Sequence, residues 1–291
     1  MSEGFSSDWL SRREPFDARA RSAALAERLS TILPARPRLL ELGAGAGSLF
    51  RWLAPRIGRA QAWTMVDADE ALLADGFERT AEWAIARGWK VTSPSGALIV
   101  HAPGGAWRIE ARVVDFGASP ASLPLAGQDA VVCSALMDLV SPAWARHFAA
   151  ILAVPFLACL NVDGRDRFIP ARAGDALVAR GFARHMRRDK GFGPAMGQAS
   201  PAMLARIFDA AGFDVATAPS DWLIPRMATS MLAEMIEGHA AAAAEALPAF
   251  SARIAAWRDA RLDAVSAARL TLMIGHRDLL AMPRPTTPRK D

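Results

Sequence analysis

The chain has no tyrosine, only two cysteines, and three lysines among its 291 residues. Cys133 and Cys159 each lie inside an apolar run, with neither a C-x-x-C partner nor a neighbouring histidine. That excludes a disulfide scaffold and a thiolate metal site, and two reduced core thiols are expected. Arginine therefore carries nearly all the positive charge. Lys plus Arg number 34 against 30 acids, a net +4 spread along the chain. No basic block is interleaved with aromatics, so a nucleic-acid partner is not expected. Long hydrophobic runs are also missing. The longest, Ala149 to Leu160, is broken by Pro155 and falls short of the roughly 20 residues that span a bilayer. Met1 to Arg13 is polar and mixed in charge, without the apolar core of a secretory signal. A cytoplasmic protein with no membrane partner is the expectation.

Apolar residues make up 52% of the chain, enough for a substantial core. Strand-like and helix-like patterns alternate, which points to an α/β fold, a doubly wound and mostly parallel seven-stranded sheet. Arg19 to Leu33 reads as an amphipathic helix, and Arg38 to Leu42 as a buried strand. Ala62 to Val66 is a second strand, followed by a helix over Asp69 to Ala86. Leu98 to Ala102 and Ala106 to Val114 flank a Pro-Gly-Gly turn, a β-hairpin whose second arm becomes the third sheet strand. Ala130 to Cys133 and Phe156 to Leu160 follow as the fourth and fifth strands. Between them runs a helix from Pro142, with Ser141 as its cap. Asp175 to Arg188 and Ser200 to Ala211 read as helices, and Phe213 to Thr217 as a strand. Two helices separated by Pro248 precede Leu270 to Ile274, taken as the last strand. One domain over 1–282 is expected, with an N-terminal helical cap at 5–34, a lid insertion at 163–199, a helical insertion at 226–268 and a disordered tail at 283–291.

One segment carries chemistry. Glu41-Leu42-Gly43-Ala44-Gly45-Ala46-Gly47 follows a strand and opens a helix. Glycines there let the backbone turn sharply and approach a ligand, and the helix N-terminus offers free N–H groups. The spacing is G-x-G-x-G, whereas the dinucleotide fingerprint would need glycine at Ser48. Glu41 lies two residues before the first glycine. Asp67 ends the second strand, where a carboxylate accepts two hydrogen bonds from a ribose diol. Asp115 ends the third strand.

This set resembles the class I S-adenosylmethionine (SAM)-dependent methyltransferases, with a Rossmann-like sheet, closely over Arg38 to Leu160. The resemblance implies SAM as cofactor. It implies cofactor contacts from Glu41, Gly43, Ala44, Gly45 and Gly47, from Asp67 and Ala68 at the ribose, from Asp115 and Phe116 at adenine, and from Ser134 near the sulfonium. Arg13 or Arg19 of the cap would pair with the SAM carboxylate. Trp9-Leu10-Ser11-Arg12-Arg13-Glu14-Pro15, Arg187 to Pro194 and Leu272 to Leu280 are similar to a subgroup of bacterial methyltransferases whose substrates the resemblance does not name.

Methyl transfer from a sulfonium is an in-line displacement that chiefly needs alignment and exclusion of water, with a base only where the acceptor carries a proton. The 163–199 insertion follows the fifth strand and should lie over the crevice. His185, Asp189 and Lys190 are its candidate catalytic groups. Arg188, with Asp138, Asn161 and Asp163, is a candidate substrate contact; a plain solvated basic face is the alternative. Asp138 with Asn161 or Asp163 would offer oxygen ligands to Mg²⁺, but no tight acidic cluster is visible, and no metal is expected. The site after strand four reads Cys133-Ser134-Ala135-Leu136 and not Asn/Asp-Pro-Pro-aromatic, which argues against amino-directed DNA methylation. O- or N-methylation of a small, acidic metabolite is the expected activity. The alternatives are methylation of protein or RNA, and a non-catalytic SAM-fold binding module. Met227, Met231 and Met235 fall at helical spacing, as a dimer face or as ordinary packing, so monomer and homodimer both stay open.

Overall fold

A computed structural model describes residues 6–285. Among them are twelve strands and nine helices. In chain order these are α1 (Ser7–Ala20), α2 (Ala23–Ile32), β1 (Arg38–Leu42), α3 (Ser48–Ile57), β2 (Gln61–Asp67), α4 (Glu70–Ile85), β3 (Lys90–Thr92), β4 (Leu98–Ala102), β5 (Gly105–Val113), β6 (Ala130–Ser134), α5 (Pro142–Ile151) and β7 (Phe156–Val162). Then come β8 (Arg167–Ile169), α6 (Asp175–Met186), α7 (Ser200–Ala210), β9 (Phe213–Pro219), β10 (Trp222–Ile224), α8 (Thr229–Ala246), α9 (Ser251–Ser266), β11 (Thr271–Ile274) and β12 (His276–Pro283).

The main sheet runs β3-β4-β5-β2-β1-β6-β7-β12-β9. Strands β5, β2, β1, β6 and β7 are parallel, and β12 enters antiparallel between β7 and β9. This is a doubly wound sheet: successive crossovers step one way from β1 to β2 and β5, then the other way to β6 and β7. The order reverses between β1 and β6, and such sheets bind ligands at the carboxyl ends of the strands beside that reversal. Six of the seven strands expected lie in this sheet, and the first hairpin arm β4, with β3 and β12, brings it to nine.

β1 shows why the core has two halves. Leu39 points into a cluster built by α2, α3 and α4, while Leu40 and Leu42 point into one built by α5 and α7. A parallel strand covered on both faces reads as a continuous apolar run, as Arg38 to Leu42 nearly does. The exception is Glu41, on the α3 side.

Three expectations need correction. The first helix does not span Arg19 to Leu33. Ser22 caps α2 by accepting from Leu25 N–H, and Arg19 belongs to the end of α1. Leu270 to Ile274 is not the last strand of the main sheet. Its core, β11, joins β10 and β8 in a separate antiparallel sheet of three strands. The last main-sheet strand is β12, which was not anticipated. The tail does not begin at 283, because Pro283 still pairs with Phe213, and Arg284 donates to Gly212 O and ion-pairs with Asp214 and Asp209. The rest of that tail, 286–291, and the first residue of the expected cap lie outside the described residues.

Helix α1 is fastened across the carboxyl ends of the strands. Arg12 ion-pairs with Glu234 of α8, and Glu14 grips Arg51 of α3 at 2.5 Å. The indole of Trp9 and the ring of Phe16 pack on Trp222 of β10, at 6.4 and 6.3 Å. Glu14 is partly exposed and Arg51 is not. Glu14→Gln should therefore cost about 1–2 kcal/mol, the worth of a charge-assisted bond at a half-wet site. A urea melt with an unchanged midpoint would mean that the pair contributes nothing.

Candidate cofactor and acceptor site

The turn after β1 holds three left-handed residues in five: Gly43, Gly45 and Gly47 have φ of 60°, 49° and 77°. Side chains are disfavoured there by about 1–2 kcal/mol per residue. Gly45 N–H donates to Asp67 Oδ2 at 2.8 Å, and Asp69 N–H donates to Asp67 Oδ1 at 3.1 Å. The acid ending β2 is thus held against the glycine turn with lone pairs to spare. Ala68 is exposed beside it. Leu10 of α1 and Leu136 of the loop after β6 approach Gly45 and Gly43 from above.

Beneath the turn lies Glu41, 2% exposed, with its Oε2 lacking any hydrogen-bond partner. Burial pushes its pKa up to about 8, against the pull of Arg21 and Arg51. A buried carboxylate with an unmet oxygen is costly unless a ligand donates to it. Arg21, itself buried, donates to Ser134 Oγ at 3.0 Å and to Ser48 Oγ at 3.1 Å. It bridges the end of β6 to the first residue of α3.

Asp115 lies at the rim after β5, its Oδ1 accepting from Gly117 N–H at 2.9 Å. Phe116 is buried against Trp144 and Phe192. After β6, Ala135 adopts φ 53°, and Leu160, near the end of β7, adopts φ 57°. Left-handed non-glycine residues concentrate at functional sites; here both sit at carboxyl ends of central strands.

A second polar group lies under α1. Asp138 is buried with Oδ1 unpartnered, and burial pushes its pKa up to about 6, against the pull of Arg13. The Nδ1 of His276 and the Nε1 of Trp222 are also buried without partners. Burial and then Arg13 hold His276 down at about 4, so it is neutral. The Arg13 guanidinium lies 5.0 Å from the centre of the Trp222 ring and donates to Asp17 at 3.1 Å. Arg13 is therefore grouped with Trp222, Asp138 and His276, and it is Arg21 that reaches Ser48 at the end of the glycine turn.

The remaining candidates are dispersed. His185 faces Glu245 of α8 at 3.1 Å, and Arg188 pairs with the same carboxylate. Asp189 Oδ1 accepts from Gly191 and Gly193 N–H at 2.8 and 3.0 Å, which shapes the Gly-Phe-Gly-Pro turn, and Lys190 rides on that turn. Asn161 is fully buried and donates to Ala158 O and Arg277 O in the β7–β12 seam. Asp163 is engaged by Arg165, which also binds Asp221. The 189–194 turn does reach the crevice, because Phe192 packs on Phe116 and Trp144 at 5.7 Å each.

Sequence reasoning missed Arg21 and Asp278. Nothing local singles Arg21 out among the arginines of the first thirty residues. Asp278 lies in a segment already marked by resemblance, and an acid inside an otherwise apolar stretch was the available signal.

No family model matches the chain. A curated relative, the biotin biosynthesis bifunctional protein BioCD of Bordetella avium, is 56% identical over 45 residues, which cover 15% of this chain and 10% of that protein. The YcgJ protein of Bacillus subtilis is similar in structure, with 13% identity, 90% of this chain and 97% of that one covered, and a TM-score of 0.48. A SAM-dependent methyltransferase of Geobacter sulfurreducens, solved with S-adenosylhomocysteine, has 16% identity, 94% and 98% coverage, and a TM-score of 0.42. At that level the fold rests on the strand order itself.

Proposed function

We propose that the protein transfers a methyl group from SAM to an oxygen or nitrogen atom of a small metabolite. The observation that carries this is the glycine turn wired to Asp67 above the unpartnered Glu41 carboxylate. The residues fit the cofactor's chemistry. Asp67 would accept from a ribose diol, Phe116 and Asp115 would flank the adenine, Glu41 would receive the ammonium group, and Arg21 with Ser134 would face the carboxylate. When bound, SAM supplies an electrophilic methyl on a good leaving group. The chain's own part is to align the acceptor and exclude water, which α1 and the 189–194 turn are placed to do.

Asp138 is the best-supported candidate for the acceptor's proton. It is buried and ionised at neutral pH by its pKa of about 6, and it has an oxygen to spare. A hydroxyl or protonated amine is therefore the favoured acceptor, and Arg13 nearby suits a substrate with an anionic group. The sequence's other candidates, His185, Asp189, Lys190 and Arg188, have less support, since Glu245 and the turn backbone already engage three of them.

Calorimetric titration with SAM and S-adenosylhomocysteine tests the reading. Asp67→Ala should weaken SAM by about 2 kcal/mol, roughly thirtyfold. A folded wild-type protein that binds neither ligand would sink the proposal.

A further inference from the structure

A cleft of about 750 Å³ opens between α1, α3 and α4, within the range of small-molecule sites. Arginines and tryptophans dominate its walls. The Arg56 guanidinium lies 4.1 Å from the centre of the Trp52 ring, and that of Arg87 lies 4.3 Å from the centre of Trp83. Arg19 lies 4.6 Å from the centre of the Phe16 ring. Trp89 meets Trp83 edge-on at 5.3 Å.

The charges in this cleft do not balance. Arg51 is matched by Glu14, and Arg79 by Asp75. Arg19, Arg56 and Arg87 have no carboxylate partner among the described residues. Arg56 and Arg87 each donate one N–H to a backbone carbonyl, of Trp52 and Trp83. Among the described residues their remaining donors meet no acceptor. Partial burial, and then the repulsion of Arg21, hold Arg56 below its ordinary pKa, with Glu27 pulling weakly the other way from beyond ion-pair distance.

A guanidinium is a planar fork that matches phosphate oxygens in pairs, and its flat face stacks on aromatic rings. A guanidinium resting on an indole presents its outer face to a second ring, which is how arginine and tryptophan platforms hold bases. We propose that this cleft binds an aromatic phosphate, a mononucleotide in chemical class, as a second ligand separate from the cofactor. The three unpaired cations call for more than one negative charge, which a phosphomonoester carries and a single carboxylate does not. The concave shape favours a compact ligand over a bilayer surface. The proposal does not depend on the methyltransferase reading, since none of its three cations touches the glycine turn.

Uridine 5′-monophosphate is a suitable probe, because its base avoids competition for an adenosine site. Calorimetry and tryptophan quenching should show saturable binding, with uridine and inorganic phosphate each at least about tenfold weaker. Arg56→Glu/Arg87→Glu should weaken the nucleotide by roughly tenfold or more. Arg19→Glu is exposed and safe for folding, and should weaken it severalfold. Thermal melts confirm that the variants are folded. Absence of saturable binding, or binding indifferent to both charge reversals, overturns the proposal. So does reversal-sensitive binding confined to a single-stranded RNA or to phosphatidylglycerol vesicles, which would reassign the cleft to a nucleic acid or a membrane surface.

Discussion

Glu41→Gln is expected to make the empty protein more stable and to make it bind SAM about a hundredfold more weakly at pH 8.5. Both effects follow from one buried oxygen. The ordinary glutamate value is 4.5, and burial lifts Glu41 to about 8. Below pH 4.5 the folded and unfolded chains are both protonated there, and the side chain contributes no pH dependence. Between 4.5 and 8 the unfolded chain releases the proton and the folded chain keeps it, so stability falls as pH rises. Above 8 both are ionised and the loss levels off. At pH 7 the loss is on the order of 3 kcal/mol. Glutamine does not titrate, so the variant's advantage in melting temperature should be near zero at pH 4.5 and grow up to pH 8. For a chain of this size that is on the order of 5 °C. A cation placed at Glu41 pulls its pKa down, so SAM binding should release a proton. Wild-type affinity should then rise with pH up to about 8 and stay level beyond it. Calorimetry in buffers of different ionisation enthalpy reads that proton directly, and the glutamine variant should release none there. A variant with unchanged affinity, or a flat difference in melting temperature across pH, would remove Glu41 from the cofactor site.

What could be read in advance was local. The glycine turn announces itself because β1, the left-handed positions and the N-terminus of α3 are contiguous, and Asp67 follows at the end of the next strand. Ser141 caps α5 by accepting from Trp144 N–H, as the Ser-Pro pair implied. What could not be read depends on partners distant in sequence. β12 begins with His276, Arg277 and Asp278, which looks like a polar loop. It is a central strand only because His276 stays neutral and Asp278 finds backbone donors from two other elements. The apolar run just before it was the more persuasive strand and went to the smaller sheet. The alanines at 240–244 read as good helix formers, and they also form a contact face. A Cβ on Gly181 of α6 would come within 2.7 Å of Ala243 Cβ, so the two helices meet at close range. That contact carries His185 and Arg188 toward Glu245. The charge run was visible in the sequence, and its counter-charge sixty residues later was not.

Asp278 should be the acid whose removal harms the fold most. It is fully buried in β12, its Oδ1 accepting Leu160 N–H and its Oδ2 accepting Ser22 N–H, each at 2.7 Å. These bonds do unequal things. The first helps hold Leu160 left-handed near the end of β7. The second fixes the start of α2, one residue after Arg21, whose guanidinium reaches Ser134 and Ser48. Gly275, three residues earlier, lets β12 begin so close to its neighbour that a Cβ there would meet Asp163 Oδ1 at 2.3 Å. Asp278→Ala leaves the buried Leu160 N–H and the half-buried Ser22 N–H without their charged acceptor, a loss of about 3–5 kcal/mol. Asp278→Asn keeps one acceptor oxygen but turns an amide donor toward the other N–H, and should lose about 2 kcal/mol. Urea denaturation measures both. The asparagine variant, still folded, should bind SAM several times more weakly, because the misplaced start of α2 moves Arg21. If it binds as tightly as the wild type, Asp278 supports only the sheet, and Ser134, Ser48 and Asp17 suffice to hold Arg21 at the cofactor turn.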